Sequence, residues 1–241
     1  MSMTQTKIIT FDTIAFPVDN SLLKLLHQKT DCQELSHSLH KGSDAYINTI
    51  NTFSGDSLSN NQLLSALPDS IYQLYVQAYH IAKPEAAIGK ANAINSTIAI
   101  PDAIVTSDRS YAFIFTLGIR YENWYISLPG LTHQYHASII GMWLCNQYVQ
   151  ELLKKLFGTG GYVWYPGSSK ELPVTLNHAI YAMLKTQAQN IGIALNRHCM
   201  FQPLHTVAGF ALPYGNSHSV CSSCNLQQCQ FRNILTELDN C

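Results

Sequence analysis

Charge is what this sequence has least of. Lysine, arginine, aspartate and glutamate together make up 12% of its 241 residues, about half of the roughly 25% usual in soluble domains. The 14 basic and 15 acidic side chains leave a formal net charge of -1. Without a basic excess there is no footprint for phosphate backbones, whose affinity comes largely from Lys and Arg releasing counterions, so no nucleic-acid partner is expected. Long apolar runs are missing too. Stretches such as residues 137–145 fall far short of the roughly 20 residues a spanning helix needs, and no membrane span is expected. The opening MSMTQTKIITFD has one Lys and neither an apolar run nor a small-residue cleavage site, which predicts a cytoplasmic protein.

Several catalytic signatures are lacking as well. There is no Walker loop, no Gly-x-Gly-x-x-Gly fingerprint, no Gly-x-Ser-x-Gly elbow and no acid/base pair of carboxylates. Gly158-Thr-Gly-Gly161 follows a predicted helix instead of opening one, which makes it a helix stop and not a phosphate cradle.

The elements that are present alternate irregularly. Residues 8–14 read as a strand, 21–27 as a short helix, and the Ser/Asn-rich 54–62 as a loop and linker. Ile71, Leu74, Tyr75 and Ala78 recur at helical spacing within 68–81, and Pro84 lies just beyond. Residues 97–100, 103–105 and 111–117 carry the β-branched and aromatic pattern of strands broken by turns. A long helix is predicted over 134–157 and an aromatic strand over 162–165. Next come a Pro166-Gly167 turn, a helix over 174–191 with Leu176, Ile180, Met183 and Leu184 on one face, and a strand pair near 194–201 and 206–212. Without a regular βαβ repeat this mixture favours α+β. Three parts are expected: an N-terminal segment 1–62, an α+β domain 63–215 and a cysteine-rich tail 216–241.

Chemistry concentrates in that tail. Of seven cysteines, three stand in Cys221-Ser-Ser-Cys224-Asn-Leu-Gln-Gln-Cys229-Gln-Phe-Arg232. In a reducing compartment such thiols are ligands or redox groups more often than disulfides. A Cys-x2-Cys turn points both sulfurs into one pocket, the geometry that zinc and iron-sulfur sites share. A second pair of ligands, usual for structural zinc, is missing, which favours a 4Fe-4S cluster over zinc. A fourth ligand is open among Cys199, His218, His198, Cys241 and an external molecule. Arg232 is placed to offset the cluster's negative charge, and His218 lies just upstream of the first thiol. Cys145, beside Trp143 and Leu144, reads as core. His133 and His136 read as an exposed or helix-start pair, while His178 and His205 are candidates for a cleft.

From about Tyr75 to Arg232 the order of elements resembles the reactivation domain of cobalamin-dependent methionine synthase, particularly the short free-standing proteins similar to it. Thr97-Ile-Ala-Ile-Pro-Asp-Ala-Ile-Val105, closing in Ala112-Phe-Ile-Phe-Thr-Leu-Gly118, resembles that family's apolar hairpin. His136-Ala-Ser-Ile-Ile-Gly141 stands where the family has a small-residue helix start. Tyr165-Pro166-Gly167 is similar to its Ser-Pro-Gly-Tyr turn, Ile191-Gly-Ile-Ala-Leu195 to its Ile-Gly-x-x-Leu, and Pro203-Leu-His-Thr-Val-Ala-Gly209 to its Pro-x-x-Ser-Val-Ser-Gly strand. The terminal cysteines resemble the tail of the free-standing members.

The resemblance implies an α+β fold with a bent antiparallel sheet flanked by helices. It also implies S-adenosylmethionine (AdoMet) binding in a cleft, with Tyr165, Pro166, Gly167 and Ser168 as the pocket floor, and a part in reductive reactivation of a corrinoid. Three positions depart from the family pattern. Val163 replaces an Arg, Ser168 replaces the Tyr that would face the nucleoside, and Arg197 replaces a Glu. A cation at that last place would repel a sulfonium, so the pocket is either retained or decayed. No Asp-x-His-x-x-Gly corrinoid-ligand motif is present. The reading that results is an iron-sulfur redox accessory protein with a corrinoid protein or corrinoid cofactor and an electron donor protein as partners. A zinc-stabilised binding module is the alternative from another class. A ferric-chelate reductase is a third, although the adjacent Cys-Cys pair of those enzymes is missing.

Overall fold

The computed structural model describes residues 6–12, 22, 26, 69–158 and 161–213. Five strands form one sheet in the order β1-β2-β3-β7-β4, with every neighbouring pair antiparallel. The strands are β1 (Lys7–Thr10), β2 (Glu85–Lys90), β3 (Tyr111–Thr116), β4 (Gly161–Trp164) and β7 (Thr206–Pro213). A separate two-stranded hairpin pairs β5 (Ala194–Leu195) with β6 (Phe201–Gln202). The helices are α1 (Asp69–Ile81), α2 (Asp102–Val105), α3 (Ile119–Ser127), α4 (Gly130–Phe157) and α5 (Leu176–Asn190). The architecture is the expected α+β one, a bent antiparallel sheet flanked by helices.

The sheet has a hydrophobic core on each face, because strand side chains alternate sides. Phe113 and Phe115 of β3, with Ala86 and Ile88 of β2, meet α1 and α4. Ala112 and Ile114 of β3, with Ala87 of β2 and Phe210 of β7, meet α5 on the other side. The face predicted for the first helix is the buried one: Ile71, Leu74, Tyr75 and Ala78 all belong to the core. On α5, Leu176, Ile180 and Leu184 are fully buried, while Met183 is only partly so. The N-terminal segment contributes β1 to the sheet edge and Leu22 and Leu26 to the α1/α4 core. The proposed linker at 54–62 lies outside the described residues.

Four stretches differ from the sequence-based expectation. Residues 97–100 form no strand, and 103–105 fall within the short helix α2. Ile98 and Ile100 pack on the α5-side core, so their alternation records an extended loop laid over that core without a partner strand. β2, Glu-Ala-Ala-Ile-Gly-Lys, was not expected as a strand. It is buried on both faces, which removes the alternation that advertises a strand, and alanine is a weak strand former. α3, with its β-branched and aromatic content, was hidden by poor helix propensity. The predicted pair 194–201 with 206–212 is also redistributed: β5 pairs with β6, while β7 joins the main sheet between β3 and β4.

α4 packs unusually close to the loop that leads into β7. A Cβ added at Gly141 would stand 2.6 Å from His205 Nε2 and 2.9 Å from the Tyr121 ring. Neither ring has room to retreat, since His205 and Tyr121 are both buried and in edge contact with each other. Gly141→Ala is therefore expected to lower stability by about 1–3 kcal/mol through overpacking, as read by urea unfolding. Combined with His205→Ala, the loss should be strongly non-additive; additive losses would show that Gly141 serves some other purpose.

Candidate functional site

A cavity of about 230 Å³ opens where the start of β7, the turn after β4, the first turn of α5 and the β5/β6 hairpin converge. Tyr165 and Pro166 supply one wall, Val174 and Asn177 a second, and Cys199, Met200 and Phe201 a third. Leu204 and residues 206–208 complete it. The volume lies below the roughly 300–1,000 Å³ usual for small-molecule sites, so it admits one ring system and leaves the remainder of a larger ligand at the mouth. That mouth is apolar: Val174, Met200 and Leu204 are 45%, 55% and 49% exposed.

Local sequence explains how these walls are set. In Tyr165-Pro166-Gly167-Ser168 the Ser168 N–H donates to Tyr165 O at 3.0 Å, and Gly167 has φ 91°. Pro at the second position and a positive-φ Gly at the third are the pattern of a type II turn. Ser168 Oγ also donates to Tyr165 O, at 2.6 Å, so this hydroxyl closes the turn. Of the four residues expected to floor a pocket, Tyr165 and Pro166 line the cavity, Gly167 shapes the turn and Ser168 locks it. Burial raises the Tyr165 hydroxyl pKa, with a smaller push from Cys145, and keeps the phenol neutral.

Cys199 reaches the cavity from a tight turn and not from a strand. The Asn196 side-chain oxygen accepts from His198 N and Met200 N at 2.9 and 3.0 Å, and Cys199 itself takes φ 62°. His198 is consequently exposed and Cys199 buried, the separation that strand alternation predicted, achieved by a different geometry. Arg197 is exposed, donates to His198 Nε2 at 3.0 Å and does not line the cavity. Val163 is a core residue of β4. His178 is exposed on α5 and takes no part. His133 and His136 lie near the start of α4, the helix-start alternative of the expected pair, with His133 exposed and His136 buried because its position already faces the core. The His136 pKa is lowered by burial and then by His133. Cys145 is core as predicted, with its thiol pKa raised by burial. Cys221, Cys224, Cys229, Arg232 and His218 lie outside the described residues. Among the described residues no cluster of three His, Cys, Asp or Glu side chains is able to hold a metal ion, and no helix is long and apolar enough to cross a membrane.

His205, a cleft candidate in the sequence, does not line the cavity, although its neighbours Leu204 and Thr206 do. The His205 carbonyl accepts from Leu117 N at 3.1 Å and Cys145 Sγ at 3.7 Å, tying β7's entry to β3 and α4. Its imidazole lies edge-on to Tyr121 and Tyr125, and neither ring nitrogen has a hydrogen-bond partner among the described residues. Burial pushes the His205 pKa down to about 4. Leu204 N donates to Glu122 Oε2 of α3 at 3.0 Å, and Thr206 Oγ1 donates to Thr116 Oγ1 at 2.9 Å. Both cavity-lining neighbours of His205 are thereby held in place.

No family model and no curated protein sequence matches this chain. Among solved structures it is similar to the crystal structure of the MetH reactivation domain bound to AdoHcy, with a TM-score of 0.52 and 10% identity. That likeness covers 99% of this chain and 89% of the other. At such identity the shared property is the fold, which is the one the sequence resemblance implied.

The buried histidine generates a pH signature. A group whose folded pKa is depressed favours its neutral form in the folded state, so its stabilising effect is complete above the unfolded pKa near 6.5 and is lost as pH falls toward 4. At pH 4.5 the loss should reach about 2–3 kcal/mol relative to pH 7. Urea unfolding of the wild type and His205→Phe at both pH values checks this: the wild type should lose that much more, and parallel losses would contradict it.

Proposed function

We propose that this protein is a redox accessory protein supporting the reductive reactivation of a corrinoid cofactor or corrinoid protein. In this reading it binds an adenosyl ligand at the cavity and carries an iron-sulfur cluster on its C-terminal cysteines. The observation that carries the reading is a coincidence of place. The turn assigned to AdoMet by sequence resemblance, Tyr165 to Ser168, forms a wall of the cavity, in a fold similar over nearly its whole length to a domain described as bound to AdoHcy. Arg197, the departure most damaging to a sulfonium, is exposed and is not part of the lining, which supports a retained pocket.

The chain's own residues divide the work. Tyr165 and Pro166 offer apolar surface to a nucleoside base, and the exposed Val174, Met200 and Leu204 cover the part of the ligand that remains outside. Cys221, Cys224 and Cys229 supply three thiolates, soft donors suited to a cluster. Cys199, on the cavity wall, is the fourth donor in this scheme, with Arg232 and His218 beside the tail thiols. When bound, the cluster supplies single-electron transfer. The electron comes from a donor protein, reduces cob(II)alamin to cob(I)alamin, and is followed by transfer of the AdoMet methyl to cobalt with release of S-adenosylhomocysteine. A surface this poor in charge steers partners weakly over long range, so docking rests on polar and apolar contact and should change little with salt.

Anaerobic purification with an absorption spectrum and iron, sulfide and zinc analysis tests the cluster. A brown protein with a broad band near ~400 nm is expected, and Cys224→Ser should lose most of its iron. A colourless protein with stoichiometric zinc would overturn the electron-transfer role in favour of the zinc-stabilised module. Calorimetric titration with AdoMet and AdoHcy tests the pocket. Tyr165→Ala should weaken binding at least tenfold, about 1.4 kcal/mol, and absence of heat at millimolar ligand would remove the adenosyl site.

A further inference from the structure

Asn177 is an anomaly in the wall of the cavity. It stands in the first turn of α5, is only 9% exposed, and lines the space that Tyr165, Cys199 and Phe201 enclose. Its Nδ2 donates to Cys199 O at 3.2 Å, which fixes the orientation of the amide and identifies the other end as oxygen. That oxygen, Oδ1, has no hydrogen-bond partner among the described residues. Buried polar atoms are nearly always paired, and an unmade bond of this kind costs about 1–3 kcal/mol.

Several other polar groups of the lining are already engaged. Thr206 Oγ1 donates to Thr116 Oγ1, the Cys199 N–H donates to Asn196 O, and the Cys199 carbonyl accepts from Asn177. Asn177 Oδ1 is the buried acceptor of the lining without a partner among the described residues, and it calls for a donor. The flanking surface is aromatic and aliphatic, and about 230 Å³ holds a ring system and little more.

We propose that Asn177 is the specificity-determining residue of this cavity, its Oδ1 accepting a hydrogen bond from the exocyclic amino group of a planar heterocycle. The cavity thus selects an aminopurine over an oxopurine. An oxopurine sets a carbonyl oxygen against Oδ1, acceptor against acceptor, and leaves both unpaired. This deepens the adenosyl reading above and rests on it for the ligand as a whole, but the selection itself is a property of the base alone.

Calorimetric titration of the full-length protein with adenosine, purine riboside and inosine tests it. Adenosine should bind roughly 10- to 100-fold more tightly than inosine, with purine riboside, which lacks both groups, between them. In Asn177→Leu the three should bind within about threefold of one another. Equal binding of adenosine and inosine by the wild type overturns the proposal, as does a preference that survives in Asn177→Leu or the failure of either nucleoside to bind. Should that variant not fold, the wild-type order of the three ligands decides alone. AdoHcy separates the two claims. Selective adenosine binding without AdoHcy binding removes the functional reading and keeps the selector, whereas AdoHcy binding without nucleoside selectivity does the reverse.

Discussion

Burial of β3 and β7 on both faces is the constraint from which the rest of this structure follows. Antiparallel sheets can leave one face in water, but here Phe113 and Phe115 on one side and Ile114 and Phe210 on the other are all fully buried. Two helical layers are then obligatory, α1 with α4 on one face and α5 on the other. Their N- and C-terminal connections must cross the ends of the central strands. The cavity forms at one such crossing, where β7 starts, β4 has just ended and α5 begins.

What holds that corner open is backbone hydrogen bonding more than charge. The His205 carbonyl is bound by β3 and α4, Leu204 by Glu122 and Thr206 by Thr116, so the segment entering β7 has little freedom to collapse into the space beside it. The type II turn at 165–168 and the Asn196 turn at 196–200 pin the opposing walls in the same way. Both use local side-chain-to-backbone bonds, which operate without ion pairs. A preorganised wall of this kind lowers the ordering cost of binding.

Much of this was legible beforehand, for identifiable reasons. The faces of α1 and α5 and the extents of β4 and β7 followed from periodicity and from the Pro and Gly residues that bound them. The Tyr165-Pro166-Gly167 turn announced itself by residue types that only one turn geometry uses. Other parts were hidden. β2 is buried twice over and shows no alternation; α3 is built from residues that disfavour helix; and residues 97–100 alternate without pairing. At the site, Cys199 was singled out for its thiol, and its place on the wall depends on a hairpin turn that strand periodicity misrepresented. Asn177 carried no signal, since a polar residue on a helix looks the same whether it meets water or a buried wall, and His205, read as a cleft candidate, lies beside the lining and not in it.

By itself, then, the sequence determined the local elements, the α+β class and the spacing of the tail thiols, because propensity, periodicity and turn chemistry act over a few residues. Tertiary structure alone decided which segments became neighbours. It brought a turn at 165, a helix start at 177 and a hairpin at 199 around one cavity, left Arg197 exposed and left Asn177 Oδ1 and the His205 ring nitrogens buried without hydrogen-bond partners among the described residues. The physical reason is that burial and hydrogen-bond satisfaction belong to packed surroundings contributed by distant parts of the chain, and no window of adjacent residues contains them.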